Sequence, residues 1–418
     1  MAANMLPREK LSRVVDLPLI LHMCTLAPIA VRPSESLHLF PVRGAHFLVP
    51  AICGVILVPA FWIQKLPLHI DWPRFLGAYW GGLGVRALFT ASVLFVIGFP
   101  THETLRPMWA RYRAQRVRIL ILGIFVVAMV WEFGWQLGGM VVVDGLVITE
   151  LMDRTSGSLE SISKILRAIF WPAVYLFCGL VAMFCYNDLI ASLKFIGAYD
   201  WMFLKADAWL LHGSSVSQIA HLAADHASIR AFDAAEFVYY GMFGQIGAAL
   251  ILLSVCLGKG QSCRYVSSIL SAYALAVLIF YIWPSMGPFY TCQAHFAHFP
   301  KTLETYGIQQ NAMLKAKLLM TSYKHFNTIG TDYFIAFPCM HIAQPLVVLW
   351  YLRRWRRIAA CLIAYDLVLL PAILILEWHY LIDIVGGGIV AMIAIAITSS
   401  HFSSVFHGSA AQQPAQAL

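Results

Sequence analysis

Nine apolar runs, at roughly 46–63, 76–98, 118–142, 166–186, 237–257, 265–284, 338–352, 358–377 and 380–399, constrain this chain more than any other feature. A helix needs about 20 mostly apolar residues to cross bilayer hydrocarbon, where each backbone N–H and C=O must be bonded within the segment. The 338–352 run is shorter and must recruit its flanks. Charged residues make up 12% of the 418, against about 25% in soluble domains. So few charges cannot cover a water-facing surface, which excludes a disordered chain, a disulfide scaffold and nearly every soluble enzyme. The expectation is an all-α, polytopic membrane helical bundle.

The net charge of +8 does not point to nucleic acid, because the basic residues sit in short clusters beside the spans rather than on a soluble face. Most of the nine cysteines lie inside apolar runs and read as small buried hydrophobes, without CxxC or metal-ligand spacing. The stretch 13–32, interrupted by Pro18 and Pro28, reads as an interfacial segment rather than a cleavable leader. The chain divides into an N-terminal membrane region (1–160), a six-helix core (161–402) and a disordered tail (403–418).

Orientation follows from the basic turns. Arg353, Arg354, Arg356 and Arg357 between two spans, and Lys259 and Arg264 between two others, should stay cytoplasmic. Loops 187–236 and 285–337 then face the periplasmic or lumenal side, and a position such as Gln309 should be labelled from outside. The first third does not obey this scheme. Arg106, Arg111, Arg113, Arg116 and Arg118 also belong inside, so either 118–142 is a broken hairpin around Glu132 or an upstream span is miscounted.

Polar residues at a membrane are costly and need a reason. Three patches concentrate them on the outer side: 283–290, including Pro284, Ser285, Pro288 and Tyr290; Phe337-Pro338-Cys339-Met340-His341; and Glu377-Trp378-His379-Tyr380-Leu381-Ile382-Asp383. His379 and Asp383 are spaced i, i+4, which would stack them on one helix face. An aspartate bonded to one imidazole nitrogen fixes the tautomer that leaves the other free as a nucleophile. His341 can then be the acid for a leaving oxygen. Both histidines stand near helix starts, where N–H groups favour phosphate. The chemistry suggested is phosphoryl or phosphodiester transfer through a phosphohistidine. A metal site of His341, His379 and Asp383, with His295 and His298 in reserve, is the weaker alternative; no metal or cofactor is expected.

Pro338-Cys339-Met340-His341 resembles the Pro-Ser-x-His motif, and His379-x3-Asp383 the His-x3-Asp motif, of the type 2 phosphatidic acid phosphatase superfamily. FPCMH, HYLIDIVGGG and the pair Pro284 and Pro288 look most like the branch of inositol phosphorylceramide synthases and their bacterial relatives. The resemblance covers about 166–400. It implies a six-helix core, with His379 as nucleophile, Asp383 as its orienter and His341 as leaving-group acid. Two departures stand out. Ala372 and Ile373 occupy places where Ser-Arg often precedes the nucleophile, and loop 285–337 contains no arginine. Phosphate would fall to Lys301, Lys315, Lys317, His325, backbone N–H groups or Arg230, with Lys324 preferred. Tyr290 and Cys339 complete the candidate substrate-binding set. Cys339 stands where serine is usual, and a disulfide with Cys292 is one further option.

The function expected is an integral-membrane lipid phosphatase or phosphotransferase, acting on a phospholipid or sphingolipid ester or diester at the non-cytoplasmic face. Water or an acceptor lipid would take the phosphoryl group or phospho-headgroup. A transporter would also place charges such as Arg86, Glu132 and Asp366 in the membrane, yet the repeated halves that usually accompany transport are not evident. An inactive lipid-binding scaffold is the other alternative.

Overall fold

In a computed structural model of the protein, the described residues are 86–98, 163, 167, 169–183, 199–226, 228–291, 301–321 and 335–399. They form helices without a strand: α1 (Arg86–Gly98), α2 (Ile169–Met183), α3 (Asp200–Leu210), α4 (Val216–His226), α5 (Ile229–Leu257), α6 (Lys259–Ile282), α7 (Pro288–Thr291), α8 (Glu304–Thr321), α9 (Met340–Leu352), α10 (Arg356–Ile375) and α11 (Leu381–Thr398). The protein is an all-α membrane bundle. Helices α5, α6, α10 and α11 are long and apolar enough to cross a membrane, and α2 and α9 are shorter apolar helices. The unresolved question over 118–142 and Glu132 falls outside the described residues.

Helix α6 lies deepest, with Tyr265, Val266, Ile269, Ala272, Ala276 and Phe280 all fully buried. It packs on α5, α9 and α11, while α5 also meets α1, α9 and α10. Large apolar side chains remain exposed on the outer helices, among them Leu367 and Val368 on α10 and Val385, Ile389 and Met392 on α11. In water such a surface would be unfavourable; against lipid tails it is the expected one. Gly258, at φ +79°, makes the one-residue turn from α5 to α6 in a conformation that side-chain-bearing residues rarely adopt.

Polar groups between helices find partners. Arg86 donates from Nη1 to the Tyr240 carbonyl at 3.2 Å, and Gln245 donates from Nε2 to Asp366 Oδ1 at 3.1 Å. Arg86 and Asp366 thus serve as inter-helix ties, which removes part of the motive for a transport path. In the glycine run of α11, a Cβ on Gly386 would stand 2.5 Å from the Phe337 ring, and one on Gly387 would stand 2.2 Å from the Cys339 carbonyl. Those two glycines let α11 approach the start of α9 closely, whereas Gly388 meets nothing.

The connecting loops contain structure that apolar runs did not reveal. Helix α5 begins at Ile229, eight residues before the expected 237. Loop 285–337 contains α8, whose Thr305, Gln309 and Met313 recur every four residues and are buried. Gln309 donates from Nε2 to the Leu376 carbonyl at 2.8 Å and is fully buried, so the expectation that it is accessible is wrong. A polar side chain in a loop finds a buried backbone acceptor, which only packing could reveal. Helix α3 buries Asp200, Phe203 and Asp207 while exposing Trp201 and Trp209, with Lys205 over the Trp201 ring. Exposed indoles of this kind are characteristic of membrane–water interfaces.

Candidate active site

Backbone bonds draw the three polar patches together. The Ala336 N–H donates to the Ser285 carbonyl at 3.1 Å, that of Phe289 to the Glu377 carbonyl at 3.3 Å, and that of Cys339 to the Asp383 carbonyl at 3.0 Å. Gly287 allows the close approach of the 283–290 patch to the Glu377-Trp378 backbone. Its φ is +114°, and a Cβ there would lie 2.5 Å from the Trp378 carbonyl oxygen.

At the junction His341 Nδ1 lies 3.0 Å from His379 Nε2. The other nitrogen of His379, Nδ1, donates to the Ala336 carbonyl at 2.7 Å and lies 3.5 Å from Asp383 Oδ2. This fixes Nδ1 as the protonated nitrogen and aims Nε2 at His341. His341 is stacked on Tyr239, with ring centroids 4.2 Å apart, and Phe243 meets its edge. His379 is buried at 2% exposure, and Cys339 and Asp383 are fully buried. Burial opposes charge on His379, but the adjacent Cys339 sulfur and the Asp383 carboxylate outweigh it and lift the imidazole to about 10. Glu377, buried beside them, is pushed up to about 8 by desolvation and stands neutral at neutral pH.

Two local expectations need correction. His379 and Asp383 do not share a helix face. Helix α11 starts at Leu381 with Tyr380 as its N-cap, so His379 precedes the helix. Asp383, at the third helical position, folds back so that Oδ2 accepts the Tyr380 N–H at 2.8 Å, and from there it faces the imidazole. The i, i+4 spacing produces contact through a capping box rather than through helical stacking. Nor are the first N–H groups of α11 open to phosphate. Those of Leu381 and Ile382 donate to Asp207 Oδ2 and Oδ1 at 2.9 and 3.1 Å. A carboxylate already occupies that helix start. The N–H groups of Met340 and His341, at the start of α9, receive no such side-chain acceptor among the described residues.

Asp200 is the matching brace on the other side. Its carboxylate accepts the Gly287 N–H at 2.8 Å, the Met286 N–H at 3.0 Å and the Tyr380 hydroxyl at 2.9 Å. Burial pushes Asp200 and Asp207 up to about 6 each, against the donors that favour their charged forms. Sequence reasoning passed over both aspartates. The available signal was two carboxylates seven residues apart, hence on one helix face, in a segment otherwise rich in tryptophan and alanine. We expect Asp207→Ala to lower stability by about 2–4 kcal/mol, since it orphans two N–H groups at a helix start. Thermal unfolding in detergent would show the loss, with Asp207→Asn milder because its amide oxygen still accepts one bond.

The other expected substrate-binding residues separate. Tyr290, on α7, lies on the Asp200 side, which together with burial raises its phenol, and it bonds to neither histidine. Cys339 is a free thiol whose sulfur lies within 4.8 Å of a His379 ring nitrogen. Lys324, His325, Cys292, His295 and His298 lie outside the described residues, as do the side chains of Lys315 and Lys317. Lys301 and Arg230 are exposed, and no lysine or arginine among the described residues contacts either histidine.

A scan against protein families matches residues 202–397 to the model described as the PAP2 superfamily. The matched region includes α5, α6, α9 and α10, most of α11 and both site histidines. Neither a curated protein nor a solved structure matches the chain. The family match supports the PAP2 superfamily and a phosphatase-type lipid phosphoesterase held in the membrane.

Proposed function

We propose, from the PAP2-superfamily match over residues 202–397, that the protein cleaves a lipid phosphate ester or diester through a phosphohistidine on His379. The observation that carries this reading is the 3.0 Å approach of His341 Nδ1 to His379 Nε2, with the far nitrogen of His379 held by a carbonyl. Substrate phosphate parts the histidine pair, and the proton held between the rings passes from His379 Nε2 to His341 Nδ1, which frees the Nε2 lone pair. The Nε2 lone pair forms the P–N bond, the P–O bond to the leaving group breaks, and His341 gives the leaving oxygen its proton. Asp383 and the Ala336 carbonyl stabilise the charge that builds on His379. In the second step neutral His341 takes a proton from water or an acceptor hydroxyl, whose oxygen displaces His379 from phosphorus.

Phosphate is held by the N–H groups of Met340 and His341, with Cys339 beside them; Lys324, His325 and Tyr290 are further candidates on the strength of the sequence alone. The absence of an arginine from that loop favours a diester, which carries less charge than a monoester, and so a phospho-headgroup transfer between phospholipids or sphingolipids. The decisive assay is made on purified protein in mixed micelles, measuring phosphate release and headgroup exchange between labelled lipids. Neither activity over a broad lipid panel would leave a scaffold as the better reading.

The catalytic side is periplasmic or lumenal in this proposal, on the strength of the arginine turn 353–357. Because Gln309 is buried, Asn311, exposed on α8, is the better reporter. Asn311→Cys should react with an impermeant maleimide in intact cells, above the background of the unsubstituted protein. Labelling only after permeabilisation would reverse the assigned side.

A further inference from the structure

The three donor atoms of Cys339, His341 and His379 lie within 4.8 Å of one another, with the His341 ring packed against Tyr239 and Phe243. We propose that these three side chains form an inhibitory binding site for a thiophilic divalent cation of the zinc class. The proposal deepens the phosphohistidine reading, since the cation and the substrate phosphorus would compete for the same Nε2 lone pair.

The donor set fits that class of ion. Zinc takes thiolate and imidazole ligands in tetrahedral geometry with bonds of about 2.0–2.3 Å, which sets neighbouring donors about 3.3–3.7 Å apart. The two ring nitrogens, at 3.0 Å, need only a few tenths of an ångström of separation to reach it. A second observation supports the site. A metal-bound histidine characteristically donates its other ring N–H to a carbonyl or carboxylate, which fixes the tautomer and raises ligand basicity. His379 Nδ1 already donates to the Ala336 carbonyl at 2.7 Å, with Asp383 at 3.5 Å behind it. Cys339 distinguishes this chain from the serine-bearing motif it resembles: a thiolate is a strong zinc ligand, and a hydroxyl is not.

On binding, the Cys339 thiol releases its proton to solvent and sulfur donates to the metal. The imidazoles give up the proton they share, and His379 Nε2 and His341 Nδ1 each donate a lone pair. The fourth position is left to water. Hard cations such as Mg²⁺, which require oxygen ligands, gain nothing here.

Cobalt makes the site visible without recourse to activity. Chelator-treated full-length protein in detergent is titrated with Co²⁺ and followed by absorption. One equivalent should produce tetrahedral ligand-field bands and a sulfur-to-cobalt charge-transfer band, both erased by Zn²⁺ and untouched by Mg²⁺. Cys339→Ser should abolish the charge-transfer band and weaken Zn²⁺ binding by more than ~10-fold, the lower end of what loss of an outer-shell partner costs. His341→Gln, a second variant should the first misfold, should lose the tetrahedral spectrum while its unfolding profile stays cooperative. Micromolar Zn²⁺ should inhibit wild-type phosphotransfer competitively with lipid. A spectrum of six-coordinate, oxygen-ligated Co²⁺, or one unchanged in Cys339→Ser, would overturn the site. Cobalt binding in a protein without phosphotransfer activity would instead uphold the site and overturn the proposed function.

Discussion

His379→Ala is expected to abolish both turnover and the covalent label left by a phosphorylated substrate, because it removes the nitrogen proposed to bond phosphorus. His341→Ala should separate the two histidine roles. General-acid assistance is typically worth ~10²–10⁴-fold, so the variant should lose that factor on a lipid ester with a high-pKa leaving group. On an activated aryl phosphate, whose leaving oxygen needs no proton, the loss should be far smaller. In the proposed mechanism the 3.0 Å contact between the rings puts His341 beside a phosphorus bonded to His379. Quench-flow trapping of the intermediate with both substrates would measure the contrast. Equal losses would show that His341 binds phosphate rather than protonating the leaving group. A label retained in His379→Ala would remove the proposed nucleophile and direct attention to Cys339.

Asp383→Asn should reduce kcat by roughly 10²-fold while leaving the label detectable at long times. Where a carboxylate alone fixes the tautomer of a catalytic histidine, its amide costs ~10⁴-fold, because the imidazole flips to the wrong tautomer. Here the Ala336 carbonyl, at 2.7 Å from Nδ1, retains the correct tautomer without Asp383, which lies farther off at 3.5 Å. What the amide loses is charge opposite the developing imidazolium. The same change also touches the Tyr380 N–H, but an amide oxygen can still cap it, so the unfolding temperature should move little. Activity near wild type would take Asp383 out of the mechanism. A loss approaching 10⁴-fold would mean that the carbonyl does not hold the ring.

The bundle was legible because its determinants are local. Long apolar runs specify spans whatever surrounds them, since lipid offers the backbone no partners, and α10 and α11 closely match the runs read from sequence, while α6 starts six residues before its run. The pairing of His341 with His379 was also legible, from two short motifs on neighbouring helices. The resemblance carried by those motifs agrees with the family match at the level of the PAP2 superfamily, while the finer synthase-like branch stays with the proposal.

Only the tertiary structure decided how the site is held. That Asp383 reaches His379 from a capping position depends on where α11 begins, whereas the shorter bond from a backbone carbonyl and the seating of Asp207 at the α11 start depend on chain segments far apart in sequence. Asp207 and Leu381 are separated by 174 positions, and Asp200 and Tyr380 by 180. Helix α3 and helix α8 hide from hydropathy for the same reason: their buried faces are polar at Asp200, Asp207, Thr305 and Gln309. Such residues are tolerable inside only because distant N–H, O–H and C=O groups meet them, and a linear pattern of apolar residues contains no record of those partners.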